Sequence, residues 1–171
     1  MVGTRRLWSI PARVMLVLTV AVLMLAAPAG AAGPPLKGSG EGAFAPPEPG
    51  ERIREAGASG AWIEERTLTG EVTSGPLEGE LVQHVTGTVR QPANFVTFHG
   101  TAMFTGTIEG CGEEEHTLTL RLTGRGQANP PVTESQMHVV DQSSGGPRVT
   151  GQGTVSQIGA DFTYDIRYVC H

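Results

Sequence analysis

The stretch that most constrains this chain runs from Phe95 to Arg125, FVTFHGTAMFTGTIEGCGEEEHTLTLRLTGR. It is two alternating runs around a Gly-rich reversal. In the second run His116, Leu118, Leu120 and Leu122 share one parity, and Thr117, Thr119, Arg121 and Thr123 share the other. Successive side chains of a strand point to opposite faces, so this period of two predicts a leucine row on one face and a polar row on its back. The first run alternates Phe98, Ala102, Phe104 and Ile108 against Thr97, Thr101, Thr105 and Thr107. Threonine is stiff at χ1 and suits a pleated surface. Gly110, Cys111 and Gly112 lie at the reversal, where positive φ is cheap for glycine alone. The whole stretch reads as a long β-hairpin.

The hairpin sits in a chain whose first residues do not belong to the fold. Arg5, Arg6 and Arg13 precede an apolar run, Val14 to Ala27, which ends in the small residues APAGAA. Basic start, apolar middle and small-x-small sites predict a Sec-type signal peptide over residues 1–31. Both Ala27-Pro28-Ala29 and Ala29-Gly30-Ala31 fit a cleavage site, and the second is taken. The apolar run falls short of the ~20 residues a membrane span needs, so no stable anchor is expected after cleavage. No cysteine follows it to carry a lipid. The protein is therefore expected to be secreted or otherwise extracytoplasmic.

Charge and cysteine usage narrow the class further. The chain holds 12 Lys+Arg and 17 Asp+Glu, and three of the arginines lie in the leader, which leaves nine against 17 and a mature charge of −8. Such a balance argues against nucleic acid, whose phosphates call for clustered Lys and Arg. The two cysteines, Cys111 and Cys170, both lie in the mature part, and an even count in an exported chain suggests one disulfide. A reactive thiol or a metal ligand is the functional alternative.

Along the chain, residues 32–60 form a Pro/Gly-rich leader in which Gly38 to Phe44 reads as a short first strand. APPEPG, Ala45 to Gly50, breaks regular structure because proline lacks a ladder donor and restricts its neighbour. Glu51 to Ala56 is read as one helical turn. Residues 61–171 form the main domain. Its strands are Ala61–Thr73, Gly79–Arg90, the hairpin, Thr133–Asp141, Arg148–Ser156 and Asp161–Cys170, with GQANPP, Gly126 to Pro131, as a loop. In the last strand Phe162, Tyr164, Ile166, Tyr168 and Cys170 share one side. About eight strands with regular turn signals and no helix after the leader predict an all-β fold, a small antiparallel barrel of about eight strands. A closed barrel also removes exposed edges.

TAMFTGTIEGCG, then HTLTLRLTGRG, then RVTGQGTVS, then DFTYDIRYVC together resemble a group of small bacterial proteins of unknown function placed with the allene oxide cyclase-like barrels and the dirigent proteins. The resemblance covers roughly Trp62 to Tyr168. GGPRVTGQGTV keeps the glycines of that group's Gly-rich segment and lacks its leucines. The resemblance implies an eight-stranded antiparallel barrel whose interior holds a small apolar molecule. It carries over no catalytic residue. Gly60-Ala61-Trp62 is similar to the G-x-W of the lipocalins, another calycin-type barrel, and implies the same kind of interior.

Few residues offer chemistry. The five histidines, His84, His99, His116, His138 and His171, show no ligand spacing such as H-x-H or H-E-x-x-H, so no metal and no cofactor is expected. His116 shares parity with Leu118 and Leu120, which makes it either a pocket group or a hydrated histidine at a strand mouth. Glu64 and Arg66 share parity with Trp62 and Leu68. If that face is inward, a carboxylate and a guanidinium enter the barrel together and must pair or hold a polar ligand group. A bulge or strand twist would instead leave Glu64 at the rim. Tyr164 and Tyr168 suit a pocket wall or an ordinary core. Trp62, Glu64, Arg66, His116, Leu118, Leu120, Tyr164 and Tyr168 are thus the ligand-pocket candidates. No G-x-S-x-G, Walker A or nucleotide fingerprint occurs.

Three classes of function fit this pattern. They are a barrel that binds a small apolar ligand, a barrel that steers a cyclisation or isomerisation, and a structural or interaction domain with a filled interior. Oligomeric state is left open.

Overall fold

The structure, a computed structural model, describes residues 33–46, 51–55 and 60–171. The leader assigned to residues 1–31 lies outside the described residues. Nine antiparallel strand segments follow one another: β1 Leu36–Phe44, β2 Glu51–Glu55, β3 Ala61–Ser74, β4 Leu77–Arg90, β5 Phe95–Ile108, β6 His116–Ala128, β7 Pro131–Ser144, β8 Val149–Ile158 and β9 Asp161–Cys170. From β3 to β9 each strand pairs with the next, as short connections favour. The ring closes through β1, which pairs with β9 from Leu36↔Tyr168 to Ala43↔Asp161 and with β3 from Glu41↔Ser74 to Phe44↔Gly70. The result is the expected all-β closed barrel. β1 and β2 lie along the same side of β3, so nine segments fill eight places.

Two local expectations change. Glu51–Glu55 is a strand rather than a helical turn, pairing Glu51↔Glu65 through Glu55↔Trp62. The cause is tertiary: β1 covers only the C-terminal part of β3, and the backbone groups further up that edge need partners. GQANPP shrinks to a turn at Asn129-Pro130, because Gly126 pairs with Thr133 and Ala128 with Pro131. Proline is tolerated there as the first residue of a strand. The segment read as a leader with a first strand also contributes more than that reading gave it. β1 and β2 belong to the sheet, so the barrel starts at Leu36 and not at Ala61.

Strand parity decides what faces inward. The leucine row Leu118, Leu120 and Leu122 is buried, as are Phe162, Tyr164, Ile166 and Tyr168 on β9 and Ala102, Phe104 and Ile108 on β5. Each large apolar side chain removed from water here contributes roughly 1.5–3 kcal/mol. The side chains are not spread evenly along the barrel axis. Large side chains fill the interior at the end formed by the β3–β4, β5–β6 and β7–β8 turns. Phe104, Ile108, Leu118, Val149 and both tyrosines meet there.

That end is also tied covalently. Gly110 and Gly112 take φ values of +77° and +103°, and the turn they make points Cys111 inward, 1% exposed. Cys111 is joined to Cys170 at the end of β9, with 5.4 Å between Cα atoms and 59 residues of separation in sequence. Tyr164 Oη accepts from Leu77 N at 3.0 Å and shares its proton between Ser74 O and Leu77 O, at 3.1 and 3.2 Å. Tyr168 Oη donates to Glu109 O at 2.8 Å. Burial raises the pKa of both phenols above the ordinary value of 10.0, and the Leu77 hydrogen bond partly offsets this for Tyr164.

Candidate ligand site

The opposite end is hollow. A cavity of about 300 Å³ lies among the β4–β5, β6–β7 and β8–β9 turns and the first half of β3. Its wall is mainly apolar: Phe44, Leu68, Val85, Val89, Val96 and Phe98. Its size is at the low end of the range for small-molecule pockets, ~300–1,000 Å³. Two glycines make room. Gly87 lies in the wall, and Gly124 allows the Phe98 ring to lie across β6, where a Cβ would collide with it.

The polar groups come from alternate residues of one strand. Trp62, Glu64 and Arg66 point to the same face of β3, spaced roughly 7 Å apart. Trp62 Nε1 donates to Glu64 Oε2 at 3.0 Å, and Arg66 Nε donates to Glu64 Oε1 in a salt bridge. Glu64 is buried at 7% exposure, so the inward reading holds and the rim reading does not. A buried carboxylate without partners would be costly, and here a cation and an indole N–H meet it. On the neighbouring strand β4, Gln83, 8% exposed, opens onto the cavity between Leu81 and Val85. Thr133 donates to Gln157 Oε1 at 3.4 Å, and Gln157 in turn donates to Gly159 O at 2.9 Å, on the β8–β9 side.

The rim is held in place by its own turns. Asn94, with φ +48°, accepts from Asn129 N at 3.0 Å and donates from its amide to Asn129 O at 2.6 Å. Ala128 N donates to Asn94 O at 3.1 Å. These bonds join the β4–β5 turn to the β6–β7 turn, next to Ala128 and Pro131 of the cavity lining.

The eight sequence-derived candidates therefore fall into two groups. Glu64 and Arg66 line the cavity, and Trp62 is bonded to Glu64. His116, Leu118, Leu120, Tyr164 and Tyr168 do not line it; they belong to the packed interior. His116 is not at a hydrated mouth. It is fully buried, with Nδ1 3.5 Å from Gln142 Nε2 and Nε2 without a partner among the described residues. Parity told which side these residues face but not at which end of the axis they sit. The group that sequence reasoning passed over is Gln83. Its signal was present: a polar residue in phase with Leu81, Val85 and Val89.

Among the described residues no three His, Cys, Asp or Glu side chains gather as a metal site, and no helix is long and apolar enough to cross a membrane. The geometry defines a class, a disulfide-bonded closed antiparallel barrel with one filled end and one hollow end. Comparison with protein-family models and with curated proteins finds no match for this chain.

Proposed function

We propose that this is an exported barrel that binds a small apolar molecule in the cavity between Phe44 and Phe98. The carrying observation is the contrast between the two ends of one barrel. One end is packed with large side chains, while the other keeps about 300 Å³ lined by apolar residues with a small polar cluster. Concave apolar sites with a few placed polar groups are the usual form of a ligand pocket. Export is supported by the leader pattern and by the Cys111–Cys170 disulfide, which persists in oxidising compartments. Kinship with the allene oxide cyclase-like barrels is part of this reading and is supported by the motif order and the eight-place ring.

The test is a native mass spectrum of the protein purified from its own secreting host, beside the Gly87→Leu variant. A Cβ at Gly87 would meet nothing nearer than Val96 Cγ2 at 3.4 Å, so a larger side chain there fills the cavity with little strain. The expected result is a bound small molecule on the wild type and a bare mass for the variant. An equal adduct on both would remove the cavity as its site. A bare wild type that also fails to take up an added apolar dye would remove the ligand-binding reading.

A further inference from the structure

We infer that the outer wall of the barrel across β1, β9, β8 and β7 carries a second binding site, separate from the cavity, and that it takes an acidic polysaccharide. The first observation is a row of side chains. Lys37, Arg167, Gln152, His138 and Arg121 stand directly opposite one another on β1, β9, β8, β7 and β6. All face outward, His138 half-buried and the other four exposed. Thr101, His84 and Thr67 continue the row over β5, β4 and β3. It thus crosses eight strands without one carboxylate, in a chain with 17 Asp+Glu. Like charges directly opposite in a sheet are destabilising, and Lys37 and Arg167 are such a pair. Lys37, Arg167 and Arg121 form no salt bridge among the described residues. An anion laid across them relieves that repulsion.

The second observation is a groove. An open trough of about 680 Å³ follows the row, and Lys37, Arg167, Gln152 and His138 all line it. Its other polar side chains are Ser39, Gln136, Thr154 and Asp165. Asp165 is the one carboxylate in the lining, and it forms no salt bridge with either cation. None of the lining residues belongs to the cavity. Arg121 stands one strand beyond the trough, opposite His138. Neighbouring strands are ~4.8 Å apart, so Lys37 and Arg121 lie roughly 19 Å from each other along the wall. A chain of several sugar rings covers that length, and one small anion does not.

The lining then separates the polyanions. Its cations stand among amides and hydroxyls, and an amide both donates and accepts, so the groove matches a chain that carries carboxylates or sulfates beside hydroxyl groups. A peptide docks on a free strand edge or in pockets for alternate side chains. Here β9, β8 and β7 have neighbours on both sides, and Ile166 is the one large apolar residue of the lining. Single-stranded nucleic acid calls for aromatic platforms, and no Phe, Tyr or Trp lines the trough. A lipid surface is broad, whereas these cations lie in a trough. The acidic remainder of the chain repels a polyanion over about one Debye length, ~8 Å at physiological salt.

The test is titration of the full secreted chain, at low and at high salt, with oligogalacturonate, dextran sulfate, neutral dextran, poly-glutamate and phosphatidylglycerol vesicles. The expected result is saturable binding of an acidic glycan, weakened by salt, with neutral dextran, poly-glutamate and vesicles binding about tenfold less tightly or not at all. Joint replacement Lys37→Gln and Arg167→Gln should lower the glycan affinity about tenfold, the effect of two exposed charge contacts. Uptake of an apolar dye by the cavity should stay as in the wild type, which shows that the variant is folded. Equal binding of neutral dextran would remove the cations from the site. Poly-glutamate binding as tightly as the glycans would show that charge alone is read, and tightest binding by vesicles would make the partner a membrane; either result overturns the polysaccharide. An unchanged glycan affinity in the folded double variant would move the site off this wall. Failure of both acidic glycans to bind the wild type would overturn the proposal and leave the cavity reading untouched.

Discussion

At the scale of single residues, Tyr164 shows how one buried hydroxyl joins parts of the chain far apart in sequence. It satisfies Leu77 N and serves Ser74 O and Leu77 O, nearly 90 residues away in sequence. Tyr164→Phe keeps the ring and strands those backbone groups, so a loss of about 1–3 kcal/mol is expected in urea unfolding. The pH dependence has a definite sign. Burial raises the folded pKa of Tyr164 and Tyr168 above 10.0, so the folded state holds protons that the unfolded chain releases. Stability from this source is complete below about pH 10 and is lost as pH climbs towards the folded values, by up to about 1.4 kcal/mol per pH unit for each phenol. These are the only two tyrosines in the chain. The alkaline fall should therefore be shallower in Tyr164→Phe and shallower still when both are phenylalanine. An unchanged alkaline slope in the double variant would place its source elsewhere.

Elements were legible where a single strand carries its own pattern. The Leu118–Leu122 row and the Phe162–Tyr168 row each state strand, face and burial within a few residues, and both rows are buried, whereas His116 at the head of the first is neither at a hydrated mouth nor in the cavity lining. β2 and the ends of β6 and β7 were not legible, because what orders them is a neighbour's unpaired edge, which leaves no mark on local composition. The Asn94–Asn129 link is of this kind too. Asn94 looks like an ordinary turn residue, yet it also holds the next turn but one. Asn94→Gly retains the positive φ and loses both side-chain bonds, so it isolates their contribution. It should cost about 1–2 kcal/mol and speed hydrogen exchange at the Asn129 amide, which loses its acceptor. If that amide exchanges as in the wild type, the rim is held by something other than Asn94.

For the whole molecule, the pocket's place on the axis depends on how side-chain volume is distributed over eight strands at once. Glu64 and Arg66 could be named from parity, but the end they occupy could not, since Tyr164 and His116 have the same inward parity and lie in the filled half. The division of the barrel into a filled end and a hollow end implies that stability and binding are separable. The Cys111–Cys170 bridge lies wholly in the filled end and closes a loop of 59 residues in separation. In the chain-entropy model that is worth about 4 kcal/mol, through restriction of the unfolded chain. No residue of the bridge or of its turn lines the cavity. Replacing both cysteines with alanine should therefore lower the unfolding midpoint in urea markedly, by the equivalent of about 4 kcal/mol. Under conditions where the variant remains folded, its affinity for an apolar probe should stay within about twofold of the wild type, as for substitutions at distant, independent sites. A large loss of affinity with the fold intact would show that the bridge shapes the cavity through the shared strands β5 and β6, and that the two ends work as one unit.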